Sequence, residues 1–250
     1  MMESIAGADY FPPAVRYGAA AQVIVLYAKV EKQSALASMR RWLDVADELM
    51  KASKAVLDPL LTSVYWRAAA FIPFFEGDHA EVDRHLKLAL ACAMESLGSV
   101  DPDDQLRALE NVHPLLETSG RSAKARGDKA GAERFYRRML EWDPLDPRGH
   151  IRMGDFLKGE GRLIEARRAY QAAASIGAPY TAYSHYQAAR CSIWLEQADE
   201  AYGPLVASAM TDRRALSPLI ALRDSCTAEK LRPLREWAVN ELAARMQGTP

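Results

Sequence analysis

His79 and His85, set among Asp78, Glu81 and Asp83, are the side chains best suited to chemistry, because imidazole and carboxylate groups in one short stretch can hold a divalent metal or relay a proton. Helical geometry points elsewhere. Six positions apart, the two rings fall on opposite sides of a helix, and Asp78 three residues before Glu81 has the spacing of a capping box. The stretch is read as a helix start that binds no metal. His150 and His185 are read as packed, hydrogen-bonded side chains. Cys92, Cys191 and Cys226 are odd in number and lack a Cys-x-x-Cys spacing, which indicates neither a disulfide framework nor a zinc site. Free thiols suit a reducing compartment, so the chain is expected in the cytoplasm. No nucleophile turn, glycine-rich phosphate loop or isolated carboxylate pair stands out, and neither a catalytic residue nor a cofactor is assigned. Two groups suit recognition better than catalysis. Arg148 and Arg152 lie one helical turn apart, and Tyr183, Tyr186 and Arg190 share one stripe. A guanidinium grips a carboxylate through two parallel hydrogen bonds, and tyrosine and arginine are enriched at binding hot spots.

The elements that carry these residues are helices. Of 250 residues, 49% are hydrophobic and 26% charged, with a net charge of −1. A balanced charge without long basic runs argues against nucleic acid as a partner. The apolar run from Ala19 to Ala28 is too short to cross a bilayer, and no membrane association is expected. Asp58-Pro59, Asp101-Pro102 and Asp146-Pro147 read as an N-cap followed by the first helical residue, where proline's missing N–H is harmless. Asp143-Pro144 reads as a helix exit, while His113-Pro114 and Ala178-Pro179 read as further helix starts. The apolar period, as in Ala35, Met39, Trp42, Ala46, Leu49, Ser53 and Val56, is that of a helix stripe, and no segment alternates like a strand. Helices are predicted over 13–30, 35–57, 59–75, 79–97, 102–111, 114–125, 130–142, 147–158, 163–176, 179–195, 198–210, 215–225 and 229–246.

Shifting the chain against itself by about 34 residues brings Gly120 onto Gly154, Gly127 onto Gly161, Ala132 onto Ala166 and Tyr136 onto Tyr170. Small residues let paired helices approach closely, and the aromatic fills the gap beside them. This pattern resembles the tetratricopeptide repeat, most clearly over 113–180. A third unit near 182–215 keeps Ala189 and Ala201, with Leu205 in place of the aromatic and no turn glycine. A degenerate unit at 63–96 places Trp66, Gly77 and Leu86 correspondingly. The resemblance implies an all-α, right-handed α-solenoid of antiparallel helix pairs, about 12–13 helices in all. The expected division is a helical N-terminal region at 1–112 that includes the degenerate unit at 63–96, repeats over 113–215 and capping helices over 216–250.

In that family the first helix of each repeat lines a concave surface that binds extended peptides or partner helices. Carried over position by position, the resemblance places Glu117, Arg121 and Lys124, then Arg148, Ile151, Arg152 and Asp155, then Tyr183, Tyr186 and Arg190 on or near that surface. Arg148 with Arg152 resembles the basic pair by which one subgroup holds a C-terminal carboxylate, although Thr118 stands where that subgroup has asparagine. The expected function is therefore a protein-interaction adaptor or scaffold that binds a peptide segment or helix of a protein partner. The N-terminal helices could offer a surface for a homodimer. The competing expectation is an enzyme or small-ligand sensor with a pocket between the N-terminal helices and the repeats.

Overall fold

The computed structural model describes residues 1–52 and 58–247, and the chain divides into two compact units, Met1–Phe135 and Tyr136–Pro250. The described residues form α-helices and short 3-10 turns, with no strand among them. In the first unit these are α1 (Met2–Gly7), α2 (Pro13–Val30), α3 (Leu36–Ala52), α4 (Pro59–Ala69), α5 (Phe71–Glu76), α6 (His79–Ser96) and α7 (Pro102–Ala125). The division falls within α8 (Lys129–Trp142). The second unit continues with α9 (Pro147–Gly159), α10 (Leu163–Ile176), α11 (Thr181–Trp194), α12 (Tyr202–Thr211), α13 (Ser217–Ser225) and α14 (Arg232–Gln247).

The aspartate caps lie where the Asp-Pro steps predict them. Asp58, Asp101 and Asp146 each accept the backbone N–H two residues on, at 2.7, 2.9 and 2.8 Å, and so start α4, α7 and α9. Asp143 closes the exit from α8 by accepting the Leu145 N–H at 3.0 Å. Asp78 accepts the Glu81 N–H at 3.0 Å, but the Glu81 carboxylate turns to Arg84 and His85, so only half of the expected capping box forms.

Four expectations need correction. The helices predicted over 102–111 and 114–125 are one helix, α7, which runs through Pro114. An interior proline costs ~3 kcal/mol, whereas burying Val112, Leu115 and Leu116 returns roughly 1.5–3 kcal/mol each. Asn111 adds a hydrogen bond to Ser63 at 2.6 Å, and burial wins over the break. Conversely, 59–75 is divided at Ala70 into α4 and α5, because Pro73 has no N–H for the Ala69 carbonyl. Ala178-Pro179 precedes α11, which begins at Thr181. The helices predicted from 198 and 229 each begin with a 3-10 turn, Ala198–Glu200 and Glu229–Leu231, before α12 and α14. α1 was not foreseen, being too short to show a period. The end of the helix predicted over 35–57, with Ser53 and Val56, lies outside the described residues.

In the first unit Tyr17, Ile24, Met39, Trp42 and Tyr65 form one core, with the Tyr17 and Tyr65 rings stacked at 5.5 Å. In the second, α10 packs against both α9 and α11, and Leu205, Leu219, Leu222 and Leu242 join α12, α13 and α14. A Cβ on Gly154 would meet the Tyr170 ring at 2.9 Å, so the repeat's glycine and aromatic are complementary halves of one contact. The turn glycines Gly127 and Gly161 have φ of 81° and 76°, backbone that a side chain resists. In the third repeat Glu196 holds that turn at φ 59°.

Candidate functional site

Asp155, on α9, gathers the polar groups of the second unit. Its Oδ1 accepts the Tyr170 hydroxyl at 2.6 Å and the Tyr183 hydroxyl at 3.4 Å. Arg152 and Lys158, each three residues away on the same helix, reach it at 3.7 and 3.5 Å. Lys158 also donates to Gln187 of α11 at 2.9 Å and lies 5.4 Å from the Tyr170 ring centroid. Burial, and then Asp155 itself, push the Tyr170 hydroxyl well above the usual phenol range. The Tyr183 hydroxyl shifts the same way, chiefly through burial. The phenols therefore donate to the carboxylate, fixing α9, α10 and α11 to one another by charge-assisted bonds.

A second group lies along α11. Arg190 stacks over Trp194, 4.6 Å from its ring centroid, and stands 5.8 Å from that of Tyr186. One turn back, Ala182, Tyr183, Tyr186, Asp212, Ala215 and Pro218 line a cleft of about 280 Å³. Tyr183 and Trp194 remain 42% and 47% exposed, so aromatic surface is available to a ligand.

The residues singled out from sequence fall into distinct settings. Arg152 and Tyr183 converge on the Asp155 carboxylate, and Tyr186 and Arg190 meet on α11. Arg148 is turned onto Asp146, the cap of its own helix, with Nη2–Oδ2 2.6 Å. Ile151 is buried in the core. Arg121 and Lys124 are exposed on α7 in the first unit, and Glu117 is half-buried there. Lys158, Gln187, Trp194 and the cleft residues Asp212 and Pro218 were missed. Of these only Trp194, four residues after Arg190, carried a sequence signal, the i, i+4 spacing that stacks two side chains on a helix.

Three histidines have identifiable surroundings. His85 is buried against Trp66, ring centroids 5.0 Å apart, with Nε2 3.0 Å from Glu81, and burial pushes its pKa below the usual histidine value. His150 Nε2 lies 3.0 Å from the Pro144 carbonyl oxygen. Burial pushes the His185 pKa down as well. Among the described residues, no group of three or more His, Cys, Asp or Glu side chains is placed to hold a metal. No helix among them is long and apolar enough to cross a membrane.

No protein-family model matches the sequence, and none of the curated proteins is similar to it in sequence. Solved structures are similar in fold. A chain of the APC/C hetero-tetramer Cut9–Hcn1 aligns with a TM-score of 0.56 and 16% identity over 99% of this chain and 44% of that one, so this chain spans less than half of its length. The MamA RS-1 ArsTM double mutant aligns with a TM-score of 0.51 and 18% identity over 76% of this chain and 98% of that one. The shared arrangement of antiparallel helix pairs, together with the Gly154–Tyr170 contact and the positive-φ turn glycines, establishes that this chain has the fold of the tetratricopeptide-repeat proteins.

Proposed function

We propose that the protein is an interaction scaffold that binds a peptide segment of a partner protein on the face formed by α9 and α11. The observation that carries this reading is the group around Asp155, where Arg152, Tyr183 and Lys158 are held in place beside the exposed aromatic surface of α11. Side chains fixed in advance lose little entropy on binding, and tyrosine and arginine convert contact area into affinity efficiently. Arg152, Asp155, Tyr183, Tyr186 and Arg190 are the central contacts, with Arg148 at the edge. By repeat register Arg121 and Lys124 of α7 are the counterparts of Asp155 and Lys158. The free cysteines fit a cytoplasmic protein.

Selection from a displayed library of short random peptides, followed by calorimetry, tests the proposal. Bound peptides should lose about 1–3 kcal/mol with Tyr183→Ala or Arg152→Ala, while circular dichroism of the variants matches the wild type. Peptides that bind both variants as tightly as the wild type would place the interaction elsewhere on the molecule.

A further inference from the structure

Arg190 is held by aromatic rings. Arg152, Arg167 and Arg245 of the same unit each reach a carboxylate, Asp155, Glu200 and Glu241 respectively. Among the described residues no carboxylate pairs with Arg190, whose guanidinium lies over Trp194 and beside Tyr186. A guanidinium stacked on a ring face keeps its N–H edge free, with parallel donors that match a carboxylate. The adjoining cleft is of opposite character. Its walls are mainly apolar, from Tyr183, Tyr186, Ala215 and Pro218, with Gln187 and two serines beside them, and Asp212 supplies a negative group that disfavours an acid inside it. The Asp212 carboxylate already accepts the Arg214 N–H at 2.9 Å.

Resting on the binding face proposed above, we infer that the partner segment carries an apolar side chain that enters this cleft and an acidic side chain that docks on Arg190. From Tyr183 and Tyr186 to Arg190 is four to seven residues of helix, or about 6–10 Å at ~1.5 Å per residue. An extended peptide covers that distance in two or three residues at ~3.3 Å each. The motif is thus a leucine, isoleucine, methionine or phenylalanine with aspartate or glutamate two or three positions away. The acid supplies charge-assisted bonds to a cation already fixed by its rings. The apolar residue supplies burial.

The peptides selected from the displayed library test the motif. They should be enriched in this pairing, and changing the acid to its amide, or Arg190→Gln, should each weaken binding about tenfold. The two changes together should cost little more than either alone, since they remove one interaction. Arg190→Lys should restore only part of the affinity, because an ammonium lacks the planar fork. Peptides that lack the acid, that insert a lysine or arginine against Asp212, or that ignore Arg190→Gln while still losing affinity with Tyr183→Ala would overturn the motif and leave the binding face standing. Peptides indifferent to both Arg190→Gln and Tyr183→Ala, or a library that yields no binder, would overturn the face and the motif together.

Discussion

Asp155 and Tyr170 show how one pair of side chains serves both packing and the candidate site. The Tyr170 ring fills the space that Gly154 leaves open, and its hydroxyl holds the carboxylate that also meets Tyr183 and Arg152. The packing half of this was legible in the sequence, because Gly154 and Tyr170 recur in register with Gly120 and Tyr136. The polar half was not. Its hydrogen bonds join residues on three helices, and no local spacing encodes which phenol reaches which carboxylate. Arg148 illustrates the same limit, since its neighbour Asp146 is close in sequence yet acts as both helix cap and ion-pair partner.

Ionisation of these phenols is linked to folding. Burial leads the upward shift at Tyr17, Tyr65 and Tyr170, all from an ordinary value of 10.0. A group whose folded pKa is raised contributes stability that is fully present below its unfolded pKa and lost as pH rises beyond it. Urea midpoints should therefore hold up to about pH 10 and fall above it, with phenolate absorbance from the buried tyrosines appearing only as the protein unfolds. Tyr170→Phe should cost about 1.5–3 kcal/mol at neutral pH and reduce the alkaline loss; an unchanged alkaline slope would remove Tyr170 from the linkage.

At the scale of elements, caps and turns were the most legible features and helix continuity the least. Asp58, Asp101 and Asp146 announced their helices because an N-cap acts within three residues. The passage of α7 through Pro114 depends on Asn111 reaching Ser63 and on buried Leu115 and Leu116, contacts remote in sequence. The third repeat offers a direct test of turn chemistry. Gly161 and Glu196 occupy equivalent turns, both with positive φ. A side chain in that backbone region costs roughly 1–2 kcal/mol, part of which glycine repays in unfolded-chain entropy. Glu196→Gly should raise the urea midpoint, and Gly161→Ala should lower it by an amount corresponding to about 1 kcal/mol. If both changes destabilise, the strain assigned to Glu196 is absent.

For the whole molecule, the repeat register and the compact units divide the chain by different criteria, a sequence period in one case and chain proximity in the other. Helical character and the repeat family could be read because small and aromatic residues recur in phase; the division inside α8 could not, because the helical period runs through it. The cysteines sample both units, with Cys92 in the first and Cys191 and Cys226 in the second. Burial raises all three thiol pKa values, and Cys191 and Cys226 are fully buried. Denatured, unreduced protein should titrate three thiols. In the native protein Cys92 should react first, and Cys191 and Cys226 only as their unit opens. Fewer than three reactive groups after denaturation would contradict the free-thiol assignment.

The stack of Arg190 on Trp194 gives this surface an optical property. Trp194 is one of five tryptophans, and its half-exposed indole lies directly beneath a cation. Indole emission responds to a nearby charge and to water, so a carboxylate that docks on the guanidinium changes the field at the ring and the light it gives out. Occupancy of the site can then be followed in the unlabelled protein through its own fluorescence.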